Sequence, residues 1–325
     1  MESGRSVTYK GGMFRLAHLS DVHLGPLPDV TYRDLASKRM VGYVNWQRNR
    51  RHHHHDGVVD TIVDDLKAQA PDHLAVTGDL VNLALDGEIE FAKLWLETLG
   101  DPAGVSVVPG NHDAYVPGAF DKACRAWAPW MHGDGSARPV DRDSFPYLRV
   151  RGNVALIGVS TAKATAPFMA NGFFREDQAA RMGKLLAETG RRNLFRVVMI
   201  HHPPVRGAVA QHKRLFGISK FQKVVRQYGA ELVLHGHSHL PTLHWIEGHG
   251  GSPVPVVGVA AAGQAPGGHC PAAQFNLIDI SGEPGNWQVV LTRRGLTGPA
   301  LPCSEIASID LASADPHAVA MVVRT

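Results

Sequence analysis

Five short clusters of metal-ligating residues lie along the chain: Asp21-Val22-His23, Gly78-Asp79, Gly110-Asn111-His112-Asp113, His201-His202-Pro203-Pro204 and Gly236-His237-Ser238-His239. Carboxylate oxygen, imidazole nitrogen and amide oxygen are the donors preferred by divalent metals that activate water. On an extended segment, side chains two apart leave the same side, so Asp21 and His23 are expected to reach one ion. His237 and His239 share that spacing, and a slight turn between them would let each serve a different ion. Gly78 permits a tight turn before Asp79. A carboxylate placed there can bridge two ions through its two oxygens. Asn111 supplies a neutral amide oxygen. A single Asp-x-His triplet carries little weight, because a lone histidine is usually a core or surface residue. Five clusters in order are different: converged, they can hold two metal ions and hydrolyse a phosphate ester.

Convergence requires elements that end together. The clusters follow apolar runs at Phe14–Leu19, 74–76, 105–108, 197–200 and 232–234, all β-branched except the first, which is weakly so. Such runs read as buried strands, and loops at strand C-termini are where α/β sheets gather their sites. Between them, helical spacing predicts helices over 56–69, 87–99, 117–130, 176–189 and 218–228. Strands are expected at 13–19, 73–77, 105–108, 195–200 and 231–234, with a hairpin at 146–150 and 154–159 turning on Arg151-Gly152-Asn153. Residues 242–294 are strand-rich, at 242–246, 254–260, 274–280 and 287–291. The ligands run from Asp21 to His239 without a linker, so a split into two domains would cut the site. The reading is one α/β domain over 13–295: a four-layer α/β/β/α sandwich of two mixed sheets flanked by helices. Residues 1–12 read as a dispensable tail and 296–325 as a C-terminal extension of weak pattern.

The ordered set resembles the calcineurin-like metallophosphoesterases, and its spelling is similar to the bacterial cyclic-nucleotide phosphodiesterase branch. The resemblance covers about 13–240, and 242–294 suits the family's second sheet. It implies Asp21, His23 and His239 on one ion, Asn111, His201 and His237 on another, and Asp79 with a water or hydroxide bridging them. It implies His112 as general acid or phosphate-positioning residue, not a ligand. Of the adjacent pair, His201 matches the ligand; His202 reads as structural or as support for it. Asp113 either orients His112 or caps the following turn, and Asn82 either touches the site or serves a turn. Two cations roughly 3.5–4 Å apart lower the pKa of a shared water and stabilise in-line displacement. Iron, manganese, zinc and cobalt all suit imidazole with carboxylate, so the metal is not specified.

Composition bounds the rest. Of 325 residues, 44% are hydrophobic and 19% charged, which suits a globular fold. Three widely spaced cysteines make no disulfide framework or zinc motif, and the N-terminus lacks a signal-peptide pattern; the expectation is a reducing, cytoplasmic location. No apolar run reaches the roughly 18 residues needed to span a membrane. The net charge of +3 is concentrated: residues 31–55 hold six Lys/Arg against Asp34 alone, interleaved with Tyr43 and Trp46. Apolar and charged residues there do not separate into two stripes, which argues against a membrane-surface helix. The segment reads as a helical lid, with Arg39, Tyr43 and Trp46 as candidate substrate contacts, or as a solvated helix with anchoring aromatics. His52–His55 reads as a solvated entry to the next helix. Two further loops, 162–174 and 205–217, leave strand ends at the site and are candidates for substrate selection, with Lys213 among their contacts.

The expected substrate is a small phosphodiester, of cyclic-nucleotide or glycerophosphodiester type. The basic, aromatic segment motivates an alternative, a lipid-linked nucleotide pyrophosphatase similar to UDP-2,3-diacylglucosamine hydrolases. Membrane contact would follow only from such a substrate. A broad phosphomonoesterase is a third reading. The intact ligand set opposes a non-catalytic scaffold. Nucleic acid is not an expected partner, because the excess charge sits in one segment and no separate module is present. A homo-oligomer is compatible with the sequence.

Overall fold

The computed structural model describes residues 12–28, 38–45, 57–299 and 301–314. Trp46, the His52–His55 run and residues 1–11 of the proposed tail 1–12 lie outside the described residues. The elements, in chain order, are β1 (Phe14–Leu19), α1 (Arg39–Asn45), α2 (Val58–Ala68), β2 (His73–Val76), α3 (Asp86–Thr98), β3 (Val105–Val107), α4 (Ala119–Ala126) and α5 (Ala128–Met131). There follow β4 (Tyr147–Arg151), β5 (Val154–Val159), β6 (Gly172–Phe173), α6 (Glu176–Arg191), β7 (Phe195–Ile200), β8 (Leu215–Phe216), α7 (Ile218–Tyr228) and β9 (Leu232–His235). The chain continues through β10 (Leu243–Glu247), β11 (Pro253–Gly258), β12 (Gln274–Glu283), β13 (Asn286–Gly295) and β14 (Ser304–Asp310).

Two six-stranded mixed sheets form, in the orders β14-β13-β12-β1-β2-β3 and β10-β11-β9-β7-β5-β4. Strands β1, β2 and β3 are parallel, as are β5, β7, β9 and β11, so the ligand-bearing strands of each sheet end at one edge. The alternation of a strand explains the layers. Val197 and Met199 of β7 enter the core that also holds Leu19 and Leu277 of the first sheet. Val198 and Ile200 face the other way, onto Met182 and Leu186 of α6 and Phe221 and Val225 of α7. Strands buried on both faces read as continuous apolar runs, which is why these were visible in the sequence. On the first sheet α2 packs against β12, its Val58, Ile62, Val63 and Leu66 buried at helical spacing. Among the described residues no helix is long and apolar enough to cross a membrane.

Three elements differ from expectation. The helix expected over 117–130 is two helices, because Trp127 leaves helical geometry at φ −104°, ψ 15° and Pro129 sits in the first turn of the second. Proline lacks an N–H and clashes with a preceding turn, so it starts a helix more readily than it continues one. Helix α6 runs through Gly190 to Arg191, since nothing at that glycine demands a left-handed turn. Within the C-terminal extension, a strand forms where no strand pattern was expected. Ser304–Asp310 pairs antiparallel with β13 as an edge strand, with a register shift between Arg293 and Arg294. Its residues are half-buried or exposed throughout, so it carries no apolar pattern to detect.

The loops 162–174 and 205–217 meet in the small parallel sheet β6–β8. The Ala170 N–H donates to the His212 carbonyl at 2.9 Å, and the Phe174 N–H to the Phe216 carbonyl at 2.9 Å.

Candidate metal centre

The first sheet delivers Asp21 and His23 from β1, Asp79 from β2, and Asn111 and His112 from β3. The second delivers His201 from β7 and His237 and His239 from β9. All but His112 and His239 are buried. Five adopt positive φ: Asp21 54°, His23 47°, Asp79 56°, His237 66° and His239 56°. This overturns the extended Asp-x-His geometry expected from spacing. The chain instead turns sharply at each donor, at a cost of order 1–3 kcal/mol per residue. Backbone bonds hold the turns in place. Asp21 and His23 N–H donate to the Gly78 and Asp79 carbonyls at 2.9 and 3.0 Å, and His237 N–H donates to Asp21 Oδ2 at 2.9 Å.

Close approach of the loops requires glycine. A Cβ on Gly110 would sit 2.2 Å from Asp79 Oδ1, and one on Gly236 would sit 1.9 Å from Ser20 Oγ. Asp113 is buried and gathers backbone N–H groups from both neighbouring loops. Its Oδ2 accepts from Asp79 (2.9 Å) and Gly110 (2.7 Å), and its Oδ1 from Leu80 (2.9 Å) and Val81 (3.3 Å). Asp113 thus takes neither role left open by the sequence, since its partners are the preceding 79–81 loop and Gly110 and not a following turn; the ring of His112 is oriented by Asn82, whose carbonyl accepts from its Nδ1 at 2.6 Å. Asn82 therefore does both: its carbonyl meets His112 and the rest of it serves the turn. Its N–H and those of Leu83 and Leu85 donate to the Glu88 carboxylate at 2.8, 3.0 and 3.0 Å.

Tautomers follow from the partners. A carbonyl oxygen only accepts, so Nδ1 carries the proton in His23, bonded to Val81 at 3.1 Å, and in His201, bonded to Thr77 at 2.6 Å. Their Nε2 atoms face Asp79 Oδ2 at 3.9 and 3.4 Å, and His201 Nε2 lies 3.2 Å from Asn111 Oδ1. Acceptors facing acceptors need a positive charge between them. A proton is one solution: although burial opposes charge on His201, Asp79 raises it to about 9. A metal ion is the other, and the donor set fits one. Donor atoms of Asp21, His23 and His239 lie within 4.8 Å of one another, as do those of Asp21, Asp79 and His201. His239 Nε2 is 3.1 Å from Asp21 Oδ1.

Asp79 spends Oδ1 on the His112 N–H at 2.7 Å. Oδ2 is the oxygen that faces both imidazoles. His237 donates Nε2–H to the Lys213 carbonyl at 2.9 Å, leaving Nδ1 toward the cluster. His202 is near enough to join. However, its Nε2 donates to the Ala170 carbonyl (3.1 Å) and its Nδ1 accepts from the Thr161 hydroxyl (2.7 Å), so no lone pair remains. His202 ties β7 to the loop that reaches β6.

A profile of calcineurin-like phosphoesterases matches residues 14–241. The chain belongs to the calcineurin-like phosphoesterase family. The match ends just past His239, although β12, beyond it, pairs directly with β1. Over 205 residues the chain is 27% identical to a probable cyclic nucleotide phosphodiesterase of Synechococcus sp., covering 58% of this chain and 65% of that protein. The chain thus spans just under two thirds of that relative. Over 244 residues it is 26% identical to a glycerophosphodiester phosphodiesterase of Enterobacter lignolyticus, covering 70% of this chain and 72% of that one. Two solved structures share the fold. A dimetal phosphatase from Danio rerio has a TM-score of 0.57 at 13% identity, covering 90% of this chain and 98% of that one. A purple acid phosphatase from yellow lupin has 0.53 at 14%, covering 91% and 54%.

Around the metal cluster of this calcineurin-like phosphoesterase, the rim departs from the sequence reading. Arg39, expected at the substrate, donates to the Leu83 (3.0 Å) and Ala84 carbonyls and so pins α1 to the loop before α3. Tyr43 packs half-buried against the core. Lys213 is exposed and reaches the cluster through its carbonyl, not its ammonium. Lys38 was not singled out beforehand. Its Nζ donates to Thr165 Oγ1 (2.6 Å) and the Met169 carbonyl (2.8 Å) and lies 4.6 Å from the Tyr115 ring centroid. Burial lowers its pKa to about 8. Tyr115 in turn stacks on His112, with centroids 5.3 Å apart. Nothing local in the sequence marks the Lys38 contacts, because each joins segments far apart in the chain.

Proposed function

We propose that the chain is a dinuclear metal-dependent phosphodiesterase acting on a small soluble diester of cyclic-nucleotide or glycerophosphodiester type. Asp21, His23 and His239 would hold one ion, and Asn111, His201 and His237 the other, with Asp79 Oδ2 between. The observation that carries this reading is the pair of Nε2 lone pairs, from His23 and His201, aimed at that one carboxylate oxygen. Such ions, when bound, supply Lewis acidity toward the phosphoryl oxygens and toward an attacking water. The chain supplies the acid. With Nδ1–H committed to Asn82, the His112 ring can gain and lose a proton only at Nε2. An imidazolium there protonates the departing alkoxide and returns to the same tautomer, so no ring rotation is needed. Stacking on Tyr115 and an edge contact with His23, centroids 4.8 Å apart, hold the ring against tilting.

Exposed Met40 and Val44 on α1 favour a second reading, a lipid-linked nucleotide pyrophosphatase whose substrate brings an apolar tail. One hydrolysis panel on metal-reconstituted protein decides between them. It comprises a cyclic nucleotide, a glycerophosphodiester, an aryl phosphodiester, an aryl phosphomonoester and a lipid-linked nucleotide diphosphate. Faster turnover of the soluble diesters supports the proposal. Preference for the monoester, or for the lipid-linked diphosphate, overturns it.

A further inference from the structure

A cavity of about 520 Å³, within the size range of small-ligand sites, opens among loops that continue those of the candidate metal centre. Arg142, Lys163, Phe173 and Arg175 line it, and none of the candidate metal ligands does. Its walls nevertheless continue the loops of the site. Pro117 and Gly118 follow Tyr115, the residue stacked on His112. Ser160 precedes Thr161, whose hydroxyl bonds His202 and whose carbonyl accepts from the Phe173 N–H at 3.1 Å.

The charges are unequal in kind. Arg175 is offset by Asp143 (2.8 Å) and Asp177. Arg142 and Lys163 have no carboxylate within ion-pair distance among the described residues. Arg142 lies over the Phe120 ring at 4.2 Å and donates to the Ala162 carbonyl at 3.1 Å. Lys163 Nζ lies 5.5 Å from the Phe173 ring centroid and makes no hydrogen bond among the described residues. Phe173 is itself 46% exposed, so apolar surface borders Lys163. Low-dielectric walls focus the field of uncompensated charge on whatever enters.

We propose that this cavity is a subsite for a second anionic group, phosphate or carboxylate, carried on one ester arm of the diester substrate. The inference rests on the phosphodiesterase reading above: with the scissile phosphate at the metal cluster, an ester arm extends over Thr161 and Phe173 toward Lys163 and Arg142.

The test uses three p-nitrophenyl phosphodiesters whose second ester arm is the same short chain ending in hydroxyl, carboxylate or phosphate. The metal-loaded wild type is compared with Lys163→Glu and with Lys184→Glu, an equal charge change at an exposed position on α6, outside the cavity lining. At least one anionic arm is expected to raise kcat/KM by about 10–100-fold over hydroxyl, the worth of one hydrogen-bonded charge contact. Lys163→Glu brings that ratio near one, whereas Lys184→Glu preserves it. Whichever anion is preferred names the group. A wild-type ratio of one, a ratio untouched by Lys163→Glu, or equal losses in both variants overturns the subsite while the phosphodiesterase reading stands. Absence of turnover on all three diesters fells that reading, and the subsite with it.

Discussion

At the floor of the site, acidic side chains collect backbone N–H groups. Asp113 takes four, Glu88 three and Asp21 that of His237. At the rim the polarity reverses, and backbone carbonyls collect side-chain donors. Arg39 donates to Leu83 and Ala84, Lys38 to Met169, His202 to Ala170 and His237 to Lys213. The floor is thereby a set of turns stiffened from within, with five of its side chains, Asp21, His23, Asp79, His237 and His239, held at left-handed residues. The rim is stitched across distant segments by two long cationic side chains, Lys38 and Arg39, and two buried imidazoles, His202 and His237. Precision of order tenths of an ångström is demanded of metal ligands, and short carboxylates bonded to rigid backbone supply it. Substrate contacts tolerate, and selection can vary, a longer and softer attachment.

The contrast can be broken most forcefully at Asp79. Asp79→Ala is expected to remove most bound metal, read by elemental analysis, and nearly all hydrolysis. Active, fully loaded wild-type protein containing one ion or none would end the dinuclear proposal.

His112→Ala tests whether the floor separates binding from chemistry. Both ions should remain, while turnover falls by about two to four orders of magnitude, the usual scale of a lost general acid. The deficit should shrink for aryl esters, whose leaving groups need little protonation. An equal loss for good and poor leaving groups would favour phosphate positioning over proton donation.

Asp113→Asn probes the stiffening itself. An amide cannot accept as a carboxylate does from four N–H groups, and a stability loss of about 2–4 kcal/mol is expected, with weakened metal retention. Denaturant midpoints and metal titration measure the two. Unchanged midpoints would show that the turns hold without their cap.

The smallest effect should come from the rim. Arg39→Ala leaves two carbonyls short of a donor, for about 1–2 kcal/mol and a drop of a few degrees in Tm, with relative rates across the substrate panel unchanged. A shift in substrate preference at constant metal content would restore Arg39 as a substrate contact and erase the distinction drawn between rim and selection.

The five clusters were legible because each is a local pattern: a buried run, then a donor, with a glycine just before it in three of the five. The same holds for the strands of both sheets, whose two-sided burial writes β-branched residues into consecutive positions. The turn after Tyr228 was visible too, since Gly229 has φ 80° there. The edge strand Ser304–Asp310 was not, because one exposed face erases the pattern.

Residue types and spacing by themselves determined the donor inventory and the strands that carry it, since chemistry and burial are properties of short segments. Only the tertiary structure decided which atoms of those residues face the cluster. The protonated nitrogen of His23, His201 and His237 is set by the carbonyls of Val81, Thr77 and Lys213, and the free oxygen of Asp79 by the N–H of His112. Backbone groups are identical at every position in a sequence. Which of them meets a given side chain depends on how two sheets and their loops are brought together, and that is why His202, adjacent to a proposed ligand, ties β7 to a loop and Arg39, a candidate substrate contact, meets the Leu83 and Ala84 carbonyls.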